Sequence, residues 1–582
     1  MADITLKING VSVTAPEGTT VLEAAHMAGI NIPTLCWLKE INEIGDCRMC
    51  VVEVKGARSL MASCVYPINE GMEVWTNTPK VLNSRKLTLQ LILSNHDQKC
   101  LSCIRSGNCE LQHLCKDLGV ENADYFEGER SHFEIDDSAV HMIRDNNKCI
   151  LCRRCVAVCE HTQAIGVIGA NNRGFNTDIG CTFDRGLGET SCVNCGQCIA
   201  MCPTGALKER DDTAGIEVAL ADPNKLVVVQ TAPSIRATLG EEFGFPIGTD
   251  VEGKMVAALR RLGFDKVFDT DYAADLTIME EANEFIERVK NGGVLPMITS
   301  CSPGWVKYCE HYYPDQLEHL SSCKSPQQMF GAITKTYYAQ LTGIDPKNII
   351  CVGVMPCTAK KFEITRDNEA VKGVPDVDIS ITTRELARMI KRAGIDFERM
   401  PEEEFDHPLG ESSGAGVIFG ATGGVMEAAL RTAVETLTGE ELTALDFTEV
   451  RGMKGIKEAT YKVGDLDVKV AVVSSLSKAK IIMDKIRDGQ ADYHFIEIMG
   501  CPGGCINGGG QPLVPSHVRN FTDVRGLRAQ ALYRNDAEKK HRKSHENPDI
   551  KKLYEDFLGA PGSHKAHELL HTQHIKRQIN EI

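Results

Sequence analysis

Long apolar runs are missing from this chain. No stretch of the 582 residues approaches the ~20 apolar residues of a membrane-spanning helix, which argues against membrane insertion. A secretory leader is missing too. Met1–Val13 alternates apolar and polar residues around an Asn9-Gly10 hairpin signal, with no basic segment followed by an apolar one. A cytoplasmic location is therefore expected, and with it thiols that stay reduced. Positive charge is scarce: 64 Lys and Arg stand against 80 Asp and Glu, a net charge of −16. That balance disfavours nucleic acid and anionic membrane as partners. The basic stretch Lys539–Lys543 is the main exception and reads as a solvated face. Nucleotide fingerprints are absent as well. Gly414–Phe419 puts Phe where a GxGxxG motif needs its last Gly, and Gly420–Gly424 lacks the Lys-Ser/Thr of a phosphate-binding loop. Both read as turns before a helix Val425–Thr432, so no NAD(P) or flavin site is expected.

Cysteine is too sparse for a disulfide scaffold. The chain has 24, against the ~8–10% of residues such scaffolds use. They are also unevenly spread, with 17 between Cys36 and Cys202 and seven elsewhere. Clustering at short spacings in a reduced compartment points to metal. Hydrophobic residues at 42% and charged residues at 25% exclude disorder and fibres.

Four blocks follow along the chain. Residues 1–80 read as short strands, one helix (Val21–Ala28) and cysteine-bearing loops. Residues 81–135 carry an amphipathic helix (Val81–Ser94) and a His/Cys cluster. Residues 140–212 hold two nearly identical cysteine runs. Residues 213–582 alternate β-branched runs with helical stretches, the pattern of an α/β fold with a mainly parallel sheet. Its predicted strands include Leu226–Thr231, Val294–Thr299, Ile349–Val354, Val468–Ser474 and His494–Met499. Several run into Pro-, Cys- or Gly-rich turns, at the carboxyl ends where such sheets carry their sites.

The repeat is the most specific feature. Cys149-x2-Cys152-x2-Cys155-x3-Cys159 is followed by Cys192-x2-Cys195-x2-Cys198-x3-Cys202-Pro203, the run of bacterial two-cluster ferredoxins. In that pattern the fourth cysteine of each run serves the other cluster. Cys149, Cys152, Cys155 and Cys202 are thus expected on one [4Fe–4S] cluster, and Cys192, Cys195, Cys198 and Cys159 on the other. Cys36-x10-Cys47-x2-Cys50-x13-Cys64 offers four thiolates to a [2Fe–2S] cluster, with zinc as the alternative. This block resembles the N-terminal ubiquitin-like [2Fe–2S] domain of iron-only hydrogenases and of the large iron–sulfur subunit of respiratory NADH dehydrogenase. His96-x3-Cys100-x2-Cys103-x5-Cys109 fits either zinc or a [4Fe–4S] cluster with one His ligand, and its neighbours favour the cluster. Four clusters in line form an electron conduit, which needs a partner at one end and a catalytic centre at the other.

Three motifs in the large block offer that centre. They are Thr299-Ser-Cys-Ser-Pro-Gly-Trp305, Met355-Pro-Cys-Thr-Ala-Lys-Lys-Phe-Glu363 and Glu497-Ile-Met-Gly-Cys-Pro-Gly-Gly-Cys-Ile-Asn-Gly-Gly-Gly-Gln-Pro512. In this order behind this ladder, they resemble the iron-only ([FeFe]) hydrogenases. The likeness spans essentially the whole chain and includes Lys543–Asn547 and Ala566–His571. It implies reversible H2 oxidation and proton reduction at an H-cluster, a [4Fe–4S] cubane joined to a diiron unit with CO, CN⁻ and a dithiolate bridge. It further implies one [2Fe–2S] and three accessory [4Fe–4S] clusters. By the same resemblance Cys357, Cys501 and Cys505 ligate the cubane, with Cys505 as the bridge. Met355 and Met499 flank the diiron unit, Lys360 donates to cyanide, and Ala232, Pro233, Ser325 and Gln327 line the pocket.

The first motif departs from the family, which has two adjacent cysteines there, a proton relay followed by a cubane ligand. Here they are Cys301 and Ser302. Either Cys301 remains the relay and Ser302 offers oxygen, or a local shift lets Cys301 ligate. The family's proton route corresponds to Cys301, Glu281, Ser321 and Glu284, and Glu281 and Glu284 can share one helix face at i, i+3. Cys115, Cys181, Cys309, Cys323 and Cys351 fit no ligand set and read as small buried hydrophobes. Two settings remain open. One is a stand-alone enzyme linked to ferredoxin; the other is the catalytic subunit of an electron-bifurcating complex with flavin- and iron–sulfur-containing NAD(P)-binding subunits. An H2-sensing, low-turnover variant and an electron-transfer subunit of a dehydrogenase are the alternatives.

Overall fold

The computed structural model describes residues 2–121, 126, 128–371, 373–464 and 466–579. Asp3–Ile8 and Val11–Pro16 pair antiparallel around Asn9-Gly10, whose φ angles of 51° and 85° are those of a tight two-residue hairpin turn. The sheet continues with Glu73–Trp75, Val51–Val54 and Met61–Ala62, and its one parallel pairing joins Asp3–Ile8 to Glu73–Trp75. Helix Val21–Met27 starts at a Thr20/Glu23 capping box and buries Val21 and Leu22 against Leu6, Ile8, Val52 and Val74. This is a ubiquitin-like roll, with its cysteines on the loop and strand margins.

Helix Pro79–Ser94, capped by Thr78, packs Leu89 and Leu93 against Leu111 of helix Glu110–Leu118. In the ferredoxin repeat, strands Met142–Arg144 and Leu207–Glu209 pair antiparallel. Each cysteine run leads into a short helix, Arg154–Ala157 and Gln197–Met201.

The large block contains two four-stranded sheets. The first runs Lys266–Asp269, Leu226–Thr231, Ile349–Met355, Ile379–Thr382, all parallel. The second runs Met297–Ile298, Phe495–Met499, Leu466–Ser474, Ile456–Val463, parallel except for the last pair. Val227, Val228 and Val229 are all buried, as in a strand covered on both faces. Helix Thr270–Asn291, capped by Asp269 and ended by Gly292 in the left-handed region, carries Glu280, Glu281 and Glu284. The C-terminal segment folds back on this helix, where Gly562 N–H donates to Glu280 at 2.9 Å, and on the loop after Leu320, where Lys324 N–H donates to Leu570 O and Thr572 N–H to Ser322 O, each at 2.8 Å.

Three local expectations change. The strand expected over Val294–Thr299 is only Met297–Ile298, since Pro296 has no N–H for a ladder. Gly414–Val417 is a short helix rather than a turn, and the following helix extends over Gly424–Thr438. Lys539–Lys543 is not a solvated face. Lys543 is buried against Glu435 at 2.6 Å, and Arg542 reaches Asp536 and Asp446. Among the described residues no helix is long and apolar enough to cross a membrane.

Candidate iron–sulfur wire and catalytic cavity

Three of the four cysteine sets converge in space. Cys50 and Cys64 Sγ lie 3.3 Å apart, and Cys47 N–H points at Cys36 Sγ at 3.5 Å. Pairing with Cys47 and then burial hold the Cys36 thiol well above its ordinary value, and pairing with Cys50 and then burial do the same for Cys64. Cys149, Cys152, Cys155 and Cys202 line one cavity of about 360 Å³. Burial pushes the Cys198 thiol up, followed by the charges of Cys195, Cys192 and Cys159. The last cysteine of each run therefore sits with the other run's first three. His96 is buried with Nδ1 unpartnered, and desolvation lowers its pKa and keeps it neutral, the form that binds metal.

The sets also touch in sequence. Asn42 Nδ2 donates to Cys36 O at 2.7 Å and to Cys152 O at 3.0 Å. Arg105, between Cys103 and Cys109, donates to Cys202 O at 2.8 Å. Both N-terminal sets thus abut the Cys149 set. The Cys192 set abuts the large block: Gln197 Nε2 donates to Asn507 O at 2.8 Å, and Thr358 Oγ1 to Asn194 O at 2.7 Å. Gly509 must be glycine here, because a Cβ would lie 2.2 Å from Cys195 O.

Beyond that contact lies a cavity of about 700 Å³. Its walls are the carboxyl ends of strands from both sheets: Ala232 and Pro233 after Thr231, Thr270 after Asp269, Met355 to Cys357, Cys301 and Ser302 after Ile298, and Met499 to Cys505. Gln327, Lys360, Phe419 and Gly508 complete it. Burial raises the thiols of Cys357, Cys501 and Cys505, the last to about 12. Uncharged thiols packed around an apolar space with one ammonium suit a metal cluster carrying anionic ligands. Lys360 Nζ binds Glu363 at 2.9 and 3.0 Å. Ser325 Oγ and Gln327 Nε2 each donate to the same carboxylate at 2.9 Å. Ser325 therefore stands behind the wall rather than on it. Glu363 was missed among the site residues, although its place three residues after Lys360 on helix Ala359–Glu363 was a usable signal.

Cys301 and Ser302 face different neighbours. Burial and then the Glu281 charge raise the Cys301 thiol. Ser302 Oγ instead accepts from Gly500 N–H at 3.1 Å, beside Cys501. Glu281 is buried with no short hydrogen bond to either carboxyl oxygen, and desolvation, with a smaller push from Glu284, raises it to about 8 against weaker stabilisation by Ser321 and the Ser300 N–H. Ser321 Oγ donates to Glu284 Oε2 at 2.9 Å. Glu284 is half-buried, and Arg288 holds its other oxygen at 2.6 Å.

A parallel α/β core whose strand ends gather thiols, methionines and a lysine, reached through a ladder of cysteine sets, defines an iron-only hydrogenase. The comparisons agree, and the chain belongs to that family. The family model for the iron only hydrogenase large subunit, C-terminal domain, matches residues 225–509, and that for the iron hydrogenase small subunit matches 522–577. Models for a 2Fe-2S iron-sulfur cluster binding domain, the NADH-ubiquinone oxidoreductase-G iron-sulfur binding region and a 4Fe-4S dicluster domain match 1–79, 85–124 and 148–206. The chain is 52% identical to the NADP-reducing hydrogenase subunit HndD of Solidesulfovibrio fructosivorans, over 99% of this chain and 100% of that one. It is 44% identical to iron hydrogenase 1 of Clostridium pasteurianum, over 98% and 100%. A variant of the [FeFe]-hydrogenase HydA1 from Chlamydomonas reinhardtii superposes with a TM-score of 0.56 at 42% identity, covering 62% of this chain and 99% of that one. The protein is thus an [FeFe]-hydrogenase, an oxidoreductase acting on hydrogen, with N-terminal iron–sulfur domains ahead of the H-cluster fold.

Proposed function

We propose that this chain is the catalytic subunit of an NAD(P)-linked, electron-bifurcating hydrogenase of the cytoplasm, exchanging electrons with ferredoxin and with a flavin-containing, NAD(P)-binding partner. Likeness to an NADP-reducing hydrogenase subunit over the full length of both chains supports the link, together with the lack of a nucleotide fingerprint in this sequence. The wire is one [2Fe–2S] cluster on Cys36, Cys47, Cys50 and Cys64, and three accessory [4Fe–4S] clusters. One is on His96, Cys100, Cys103 and Cys109, and the other two are on the crossed sets of the repeat. The first two converge on the Cys149 set, and the Cys192 set delivers to the cavity.

When bound, the H-cluster supplies the redox-active iron at which H2 is split or formed. Cys357, Cys501 and Cys505 would hold it, with Ser302 at the motif position where the family has its fourth cubane ligand. Lys360, steadied by Glu363, offers its ammonium to cyanide. Met355, Met499 and Phe419 keep water out. Cys301 carries the proton between the cavity and Glu281, which is mostly protonated at neutral pH because water does not solvate its anion. Ser321 hands the proton to Glu284, whose side chain is partly exposed.

The observation that carries this reading is the single cavity ringed by Cys301, Cys357, Cys501, Cys505 and Lys360 and abutted by Cys195. Anaerobically matured protein should give CO and CN⁻ infrared bands, H2 turnover and a flavoprotein partner on purification. Matured protein without those bands or turnover would sink the catalytic reading, and an enzyme that never associates with a flavoprotein would sink the NAD(P)-linked one. Ser302 in place of a thiolate favours one second reading, a low-turnover H2 sensor, which a slow maximal rate in the fully matured protein would select.

A further inference from the structure

Each run of the ferredoxin repeat carries one buried polar residue just before its third cysteine. In the first run it is Arg154 and in the second Gln197, each 1% exposed. The two are placed alike, each opening a short helix behind a residue in the left-handed region, Arg153 at φ 59° and Gly196 at φ 68°. Each also reaches out of the repeat. Gln197 bonds Asn507 O in the third motif, whereas Arg154 reaches both N-terminal sets. We propose that Arg154 is a positioning residue of the electron wire, which holds the two N-terminal cysteine sets against the Cys149 set and raises the reduction potential of the cluster there. The proposal rests on the assignment of clusters to these cysteine sets.

The geometry is that of a junction. Arg154 Nη1 binds the two oxygens of Glu110 at 3.0 and 3.1 Å, and Nη2 donates to Trp37 O at 3.4 Å. Trp37 follows Cys36 and Glu110 follows Cys109, so one guanidinium between Cys152 and Cys155 ties together the ligand loops of three sets. Glu110 is fixed from further sides. Ser516 donates its N–H to Oε1 at 3.2 Å and its hydroxyl to Oε2 at 2.7 Å. The Glu110 N–H donates to Pro203 O at 3.0 Å, next to Cys202. A planar guanidinium suits several acceptors held at fixed angles, which the single ammonium of lysine does not match.

The charge of Arg154 faces the same junction. Burial opposes that charge, and Glu110, Cys152 and Cys36 support it in that order. After burial, Arg154 has the largest influence on the Cys152 thiol and steadies its anion. Among the described residues the buried Nε–H has no partner. A buried donor without an acceptor is costly, and cluster sulfur is the class of acceptor that this one lacks. Reduction adds an electron, so a nearby cation and a donor to sulfur both favour the reduced cluster. Gln197 shares the place in the repeat without the charge.

Redox-poised EPR of the matured holoenzyme tests this, with the Cys192 set as the internal reference. Arg154→Gln alone would leave Glu110 mostly buried and unpaired, which threatens the fold. The variants are therefore Glu110→Gln, which keeps the cation without its counter-charge, and Glu110→Gln combined with Arg154→Gln, which removes both. The single variant should raise the midpoint potential of the Cys149 cluster, and the double variant should lower it below the parent's. A hydrogen bond from a charged donor is worth about tenfold in an equilibrium. At the parental midpoint the reduced-to-oxidised ratio should thus fall about tenfold in the double variant, while the Cys192 cluster does not move. Glu110→Gln decides the sign by itself if the double variant does not assemble its clusters. With the clusters intact, a shift of both variants in one direction, or of neither, would overturn the proposal and leave the cluster assignment standing. A parent without those cluster signals would overturn the assignment first and the proposal with it.

Discussion

Glu281 is where the proton route is most sensitive. Its ordinary pKa of 4.5 rises to about 8, chiefly because burial denies its anion solvation. At 1.36 kcal/mol per decade, that disfavours the anion by roughly 5 kcal/mol. The sign for stability follows from the same shift. Below about pH 4.5 the carboxyl is neutral folded or unfolded and costs nothing. Between about 4.5 and 8 the unfolded chain releases a proton that the fold retains, so this group makes stability fall as pH rises. Above about 8 the penalty is complete. Glu281→Gln removes that slope, so the variant should resist unfolding better than the parent at pH 8.5 and equally at pH 4. Activity should move the other way. An amide cannot relay a proton, so H2 evolution should drop on the order of 10²–10⁴-fold while the CO and CN⁻ bands persist. Infrared difference spectra of the parent should contain a protonated-carboxyl band, absent from the variant, that titrates with a midpoint near 8. A midpoint below 6, or a variant retaining more than about a tenth of parental turnover, would refute this account.

Cys202→Ala should abolish the EPR signal of the cluster on Cys149, Cys152 and Cys155 while sparing the Cys192 set; loss of the latter instead would mean the two runs do not cross. Gly509→Ala forces a Cβ to within 2.2 Å of Cys195 O, and overpacking of this kind costs about 1–3 kcal/mol. It should slow reduction through the accessory clusters more than turnover with a dye that reaches the H-cluster directly, as rapid-mixing absorbance would report. His96→Cys should make its cluster more negative and lower its reduction potential by on the order of 100 mV, read by redox-poised EPR.

The cysteine sets were legible because iron–sulfur ligation is written in local spacing, and the crossover of Cys159 and Cys202 follows from the length of each run. The parallel sheets were legible for a similar reason: β-branched runs such as Val227–Val229 leave few other options. Contacts between blocks were not. Asn42 meets Cys152 across 110 residues, and Gly509 meets Cys195 across a longer gap; neither side chain has a local pattern that marks its partner. Charge was misread at Lys539–Lys543 for a related reason. Composition suggests solvent, but Glu435 and Asp446 arrive from elsewhere in the fold to pair with it, beside the nearby Asp536. Ser325 belonged to the right neighbourhood in the wrong rank, since its hydroxyl is spent on Glu363.

The two carriers reach the cavity through different walls, and the chemistry of each wall suits its cargo. The Cys195 loop meets the large block at Gly509, where backbone lies directly on backbone, and at the side chain of Thr358. Electron transfer needs closeness rather than ionisable groups, and the glycine at 509 supplies that closeness. On the proposed route protons leave by the wall of Cys301, beside the helix Thr270–Asn291 that carries Glu281 and Glu284. A relay there must hold a proton at neutral pH without a permanent partner that would trap it. Glu281 suits this, because Ser321 and the Ser300 N–H approach its carboxyl, neither in a short hydrogen bond, and its burial keeps it mostly protonated. Ser302 sits on the first wall's side, against Gly500 and next to Cys501, while Cys301 lies against Glu281. On the proposed roles, the missing cysteine in the motif falls beside Cys501, and Cys301 keeps its place beside Glu281.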